Sequence, residues 1–191
     1  MLETLISSQT RIKLLLKFFL DSSTTAHLRA LESDFGDSTN GIRLELNRLE
    51  EAGMLISQNV GNKKVFQANT SHPLFNEIHN LVRKHMGLDH IVEEVVQRLG
   101  NLERVYLTGA FAKGLDSHIV EMVFLGDIDE PFLVRLLEKT ELLINRKIHF
   151  RIFKPADASS AMISDQRGES AFLLWEKEAG GAGDGFFDAR G

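Results

Sequence analysis

Cysteine is absent from the 191-residue sequence. That absence excludes a disulfide scaffold, a thiolate zinc site and a cysteine nucleophile together, and it fits a reducing compartment. Long apolar runs are missing too. The longest, Leu14 to Leu20, is interrupted by Lys17 and falls far short of the ~20 residues that span a bilayer. Met1 to Ser8 holds one acid and no basic region, so no secretory signal is expected; the default is a cytoplasmic chain with no membrane partner. Positive charge is also in deficit, at a net −5. Its distribution is uneven: up to Met86 there are ten basic and nine acidic residues, a balance of +1, and from Gly87 onward twelve and eighteen, a balance of −6. Any contact with nucleic acid therefore belongs to the first half, because phosphates repel the second.

What is present is ordinary globular material, 43% hydrophobic and 26% charged, in enough length for one large domain or two small ones. Ser8 to Leu20 carries Ile12, Leu15, Leu16 and Phe19 in the 3,4,3 recurrence of a helix with one buried face. Thr24 or Thr25 can start a second helix running to Phe35 with Leu28 and Leu31 inward. After Phe35-Gly36-Asp37, Ser38 caps a third helix that reaches about Ala52 and stops at Gly53. Met54 to Val60 and Lys64 to Ala68 then read as a hairpin turning at Gly61-Asn62.

Three helices, a tight turn between the last two and a short basic hairpin are in winged-helix order. The segment "STNGIRLELNRLEEAGMLIS", Ser38 to Ser57, resembles the recognition helix and first wing strand of bacterial winged-helix regulators of the ArsR and MarR type. The resemblance covers roughly the first 70 residues. Its most specific part is the frame Leu46, Leu49, Gly53 and Leu55. It implies a DNA-binding regulator, although related winged helices serve protein contact alone.

At 100° per residue, Ile42, Leu46 and Leu49 share the face expected to pack inward, and Asn40, Arg43 and Asn47 the face expected outward, with Ser38 and Thr39 at the helix start. Arg can bond guanine in a bidentate manner, Asn adenine, and Ser or Thr a phosphate; the helix N-terminus adds backbone donors. In the wing, Asn62, Lys63 and Lys64 suit the neighbouring backbone or minor groove. The bland alternative is a solvated polar face. Leu44 projects among these polar residues and suits either a thymine methyl or a neighbouring protomer.

His72-Pro73 opens a helix with Leu74, Phe75, Ile78, Leu81 and Val82 inward, ending near Gly87. A second stripe runs from Leu88 through Ile91, Val92, Val95 and Val96 to Leu99. In similar regulators such helices build a homodimer interface, which two-fold symmetry matches to palindromic double-stranded DNA; packing between the chain's own two domains is the alternative. His79, His85 and His90 lie six and five apart, not at the same-face spacing of a helical metal pair, so no metal is assigned.

Arg104 to Thr108, Ile119 to Leu125 and Lys147 to Phe153 read as strands. Gly109 to Gly114 forms a turn or short helix, and Pro131 to Asn145 a helix with Phe132, Leu133, Leu136, Leu137 and Leu143 on its apolar side. "LTGAFAKGLDSHIVEMVFLGDID", Leu107 to Asp129, resembles the start of the polymerase-β-like nucleotidyltransferase fold, over about residues 101–154. That family places an Asp-apolar-Asp pair on the second strand, where carboxylates at i and i+2 share a face and clamp two magnesium ions. Here Gly109, Lys113 and Gly114 look family-like, and Glu121 can take the second acidic position. Ala110 replaces the phosphate-touching hydroxyl, Ile119 stands at i−2, and the third strand offers His149 and Arg151 instead of an acid. Asp127-Ile128-Asp129 lies beyond the strand and is explained by acids at a helix N-terminus.

The sequence thus reads as an α+β protein: a winged helix over residues 1–70, a helical linker or dimerisation segment over 71–100, a nucleotidyltransferase-like domain over 101–175 and a flexible, acidic, Gly-rich tail over 176–191. Trp175, with Phe172 and Leu173, marks the last expected helix, and Phe186-Phe187 is an apolar pair in the tail. The leading function is a sequence-specific transcriptional regulator, with no enzymatic activity and no cofactor. Gly109, Lys113, Gly114, Ser117 and Glu121 form a possible site for a nucleotide or anion effector, unless the rear domain only assembles. The alternatives are an active nucleotidyltransferase, antitoxin-like or modifying, targeted by a winged helix, and a protein-interaction adaptor.

Overall fold

The structure, a computed structural model, describes residues 2–155 and 171–177. The fold is α+β, and the chain divides into two compact units, Met1–His85 and Met86–Gly191. The first contains α1 (Leu2–Leu5), α2 (Gln9–Phe19), β1 (Thr25–His27), α3 (Leu28–Phe35), α4 (Thr39–Glu51), β2 (Leu55–Val60), β3 (Lys63–Ala68) and α5 (Phe75–Met86) up to His85. The three strands form one antiparallel sheet in the order β1-β3-β2.

Local chemistry sets these boundaries. Ser8 and Ser38 cap α2 and α4, their hydroxyls accepting from the amides of Arg11 and Gly41. Ile42, Leu46 and Leu49 are buried along α4, as are Leu14 and Phe18 of α2 and Leu31 of α3, the two helices that α4 contacts; each such side chain contributes roughly 1.5–3 kcal/mol. The hairpin turns at Gly61, whose φ of +58° a side chain would strain, and Val60 pairs with Lys63 across the two-residue loop. Phe75 of α5 lies 5.7 Å from Phe19, and the ring nitrogen Nδ1 of His79 meets the Phe19 carbonyl at 2.6 Å.

One acid sits on the buried stripe of α4. The Glu45 carboxylate, 7% exposed, accepts from Arg11 Nε at 2.8 Å, Arg48 at 3.0 Å and Ser8 Oγ at 3.1 Å. Burial alone would raise its pKa. The hydrogen bonds from Arg11 and Ser8 and the charges of Arg11 and Arg48 outweigh burial and hold the carboxyl below its ordinary value. Lys13 binds the Phe35 carbonyl and Asp37, fixing the turn before α4. Two ion-paired anchors thus set the pitch of α4 against α2.

The second unit contains α6 (Leu88–Glu94), a single 3-10 turn (Val96–Arg98), β4 (Leu102–Thr108), α7 (Gly109–Ala112), β5 (Ile119–Gly126), α8 (Glu130–Ile144), β6 (Lys147–Phe153) and β7 (Phe172–Glu176). Its sheet has the order β6-β5-β4-β7, with β5 parallel to β6 across the α8 connection and β4 antiparallel to β5 and β7. Val120, Met122, Val123, Phe124 and Leu125 are buried in β5, and Leu133, Leu136 and Leu137 in α8. Asp129 caps α8 by accepting from the Phe132 amide at 2.9 Å, and Asn145 ends it at φ 54°. Among the described residues no helix is long and apolar enough to cross a membrane.

Several expectations are corrected. Thr25–His27 is a strand paired to β3, so the second helix starts at Leu28 with His27 as its cap; three extended residues are too few to show a period of their own. Phe172–Glu176 pairs with β4 and is a strand, not the last helix. Leu143 is 54% exposed, because α8 is nearing its end there. Phe186-Phe187 and most of the expected tail lie outside the described residues.

Candidate functional site

On the first unit, α4 and the hairpin wall a groove of about 520 Å³ lined by His27, Leu28, Arg29, Arg43, Leu46, Asn47, Asn62, Lys63, Lys64 and Phe66. None of these residues is acidic, and four are Lys or Arg. Because Ile42, Leu46 and Leu49 are buried, α4 turns Arg43 and Asn47 outward; both are exposed. Across the opening, the turn at Gly61 brings up Asn62, Lys63 and Lys64, all exposed. Side chains far apart in sequence thus face one space.

The remaining expected contacts at the start of α4 do not line this groove. Ser38 is occupied as the cap, the Thr39 hydroxyl donates to Glu32 Oε1 at 2.5 Å, and Asn40 is exposed on the first turn. Lys64 lines the groove but also pairs with Glu50 Oε2 at 2.6 Å and lies 5.1 Å from the Phe66 ring centroid. Hydrogen bonds from Lys64 and Ser57 hold the Glu50 carboxyl below its ordinary value. Lys64 therefore meets an anion with part of its charge already answered. His27 and Arg29 line the groove without having been foreseen. They sit where β1 passes into α3, and the β1 pairing that carries them there has no sequence period. Leu44 is 50% exposed.

The second unit brings a different set together. Thr108 and Glu121 are cross-strand partners on β4 and β5, and Gly109 follows at φ +64°. A Cβ at Gly109 would collide with the Glu121 carboxylate, so that carboxylate lies against the glycine backbone, where only glycine leaves room. Lys113 and Gly114 close the turn, Gly114 donating to the Phe111 carbonyl at 2.9 Å. His149 stands opposite Glu121 in the β5–β6 register, and Lys147 opposite Ile119. Ser117 lines a separate recess of about 280 Å³ with Asp116, His118, Ile144, Asn145 and Arg146, and none of Gly109, Lys113, Gly114 or Glu121 lines it. Arg146 there pairs with Asp116 at 2.5 Å and donates to the Ser117 carbonyl. Asp127 is exposed and Asp129 is committed to its cap. One carboxylate with a neighbouring histidine does not make the donor set of a two-magnesium clamp, so no step through such ions follows from this sheet.

No protein-family model matches the chain, and no curated protein matches it. Two solved structures are similar. One is a mutant MntA–HpeT toxin–antitoxin complex, at 17% identity and a TM-score of 0.37, covering 48% of this chain and 74% of that one. The other is a tri-AMPylated HEPN toxin of Shewanella oneidensis in complex with MNT antitoxin, at 14% identity and a TM-score of 0.36, covering 49% and 73%. The expectation that the chain is not an enzyme is corrected by these findings: both similar structures are toxin–antitoxin complexes, and one contains a toxin bearing AMP groups.

Proposed function

We propose that the first unit binds double-stranded DNA sequence-specifically, as the reading head of a transcriptional regulator whose second unit is nucleotidyltransferase-like. One observation carries this: the acid-free groove in which Arg43 and Asn47 of α4 face Asn62, Lys63 and Lys64 of the hairpin. Arg and Asn on an outward helix face are base-edge readers, and lysines at a hairpin tip meet phosphate. A homodimer would present two such grooves to a palindrome. The test is selection of bound fragments from genomic DNA by the intact chain, followed by gel shifts. Arg43→Ala is expected to relax base preference, and Lys63→Ala to weaken all sequences alike. Folded protein that retains no fragment at low salt overturns the reading.

A second reading, nucleotidyl transfer of antitoxin or modifying type, is favoured by the Glu121 carboxylate set against Gly109 at the head of the β4–α7 turn. It predicts transfer of the labelled AMP group of α-labelled ATP to a protein acceptor, with release of pyrophosphate, lost in Glu121→Ala. Equal labelling by the variant removes it.

A further inference from the structure

His27 ends β1 and caps α3, its Nδ1 accepting from the Ala30 amide at 3.1 Å. A ring nitrogen that accepts carries no proton, so the neutral imidazole bears its hydrogen on Nε2. That Nε2 lies 3.2 Å from Lys63 Nζ. In β1–β3 pairing His27 is opposite Val65, and Lys63, two residues along β3, is on the same sheet face. Two donors thus face each other at hydrogen-bond distance, and neither can accept from the other. The other tautomer, with Nε2 accepting from Lys63, would strip the Ala30 amide of its cap and exchange a half-buried bond for an exposed one. An anionic oxygen beside the pair, accepting from both donors, resolves the conflict at no cost to the cap. Both residues line the acid-free groove, with exposed Arg29 on the same wall.

We propose that His27 and Lys63 together hold one phosphate oxygen of the bound nucleic-acid backbone, His27 through Nε2–H as a neutral donor and Lys63 through its ammonium. This rests on the DNA reading above and adds to it a contact that fixes register beside the base-reading face of α4. Phosphate held by a neutral donor releases no additional counterion, whereas a lysine contact does. The two residues therefore leave different signatures.

The experiment measures binding of the intact chain to a fluorescein-labelled random-sequence duplex by anisotropy across a sodium chloride series. His27→Asn retains a side-chain oxygen suited to the cap but is too short to take the place of Nε2. It is expected to keep the melting temperature, weaken binding by about tenfold and leave the slope of log K against log salt unchanged. Lys63→Ala is expected to weaken binding and reduce that slope by about 1. Wild-type affinity in His27→Asn, or a slope reduced as in Lys63→Ala, overturns the contact while the DNA reading stands. A wild-type chain that binds no duplex overturns both. Side-chain 15N shifts of wild-type His27 give a test free of any variant: a proton on Nδ1 in the free protein contradicts the proposal, and one on Nε2 whose shift moves when duplex is added supports it.

Discussion

Replacing Glu45 by alanine removes the anchor that holds α4 against α2, and its cost can be worked from the geometry. The carboxylate is 7% exposed and accepts from Arg11, Arg48 and Ser8 at 2.8–3.1 Å. Losing one partner of a fully buried ion pair costs about 3–5 kcal/mol. Here Arg11 and Arg48 are 36% and 52% exposed and recover water when stranded, so most of that penalty is screened. A hydrogen bond to a charged group nets about 1.5–3 kcal/mol, and about 2 kcal/mol is the expected loss. For a unit of this size that lowers the melting temperature by roughly 10 °C. Far-UV circular dichroism follows the transition, while Trp175, the one tryptophan and a residue of the second unit, reports the other unit by fluorescence and is expected to stay put. A double-mutant cycle with Arg11→Ala isolates the pair. The lowered carboxyl adds a pH signature. Its contribution is present above the ordinary glutamate value of 4.5 and is lost as pH falls through the depressed folded value, so Glu45→Gln is expected to lose less stability than wild type on acidification below 4.5. A Glu45→Ala chain melting within about 2 °C of wild type would refute the reasoning, since such a shift is a small fraction of 1 kcal/mol.

Two further substitutions test local geometry. Gly109→Ala forces a Cβ onto the Glu121 carboxylate at a φ of +64°, so it is expected to destabilise the second unit by about 1–3 kcal/mol, read from Trp175 fluorescence in urea; an unchanged midpoint contradicts the close approach. Gly61→Val strains the hairpin loop at φ +58°, with an expected loss of about 1 kcal/mol and a larger drop in DNA affinity than in stability, because the loop carries Asn62 and Lys63 to the groove.

The features legible in the sequence were those with a period or a distinctive terminus. Ser38 announces α4 because a hydroxyl before a helix is a local signal, and the recurrence of Ile42, Leu46 and Leu49 gives its buried face. Gly61-Asn62 between alternating runs marks the hairpin. Lys147 to Phe153 stands as expected, since alternation extends over the whole strand. What escaped was non-local. Thr25–His27 is extended only because β3 pairs with it, and its threonines read equally well as helix caps. Phe172–Glu176 lacks the alternation of a half-exposed strand and is held by β4, some seventy residues earlier. Glu45 carries no sequence signal of burial; that it lies buried among Arg11, Arg48 and Ser8 depends on the packing of α2 against α4. For the same reason His27 and Arg29 entered the groove unannounced, while the outward set of Arg43, Asn47, Asn62 and Lys63 followed from helix phase and turn position alone.

The most direct measurement is the salt dependence of duplex binding by the intact chain, compared with a variant in which Arg29 and Lys63 are both alanine. A groove that takes up DNA predicts a wild-type affinity falling steeply with salt and a variant whose slope is shallower by about 2, at roughly 0.9 for each phosphate no longer neutralised. Identical slopes for the two proteins, or binding indifferent to salt, would contradict it.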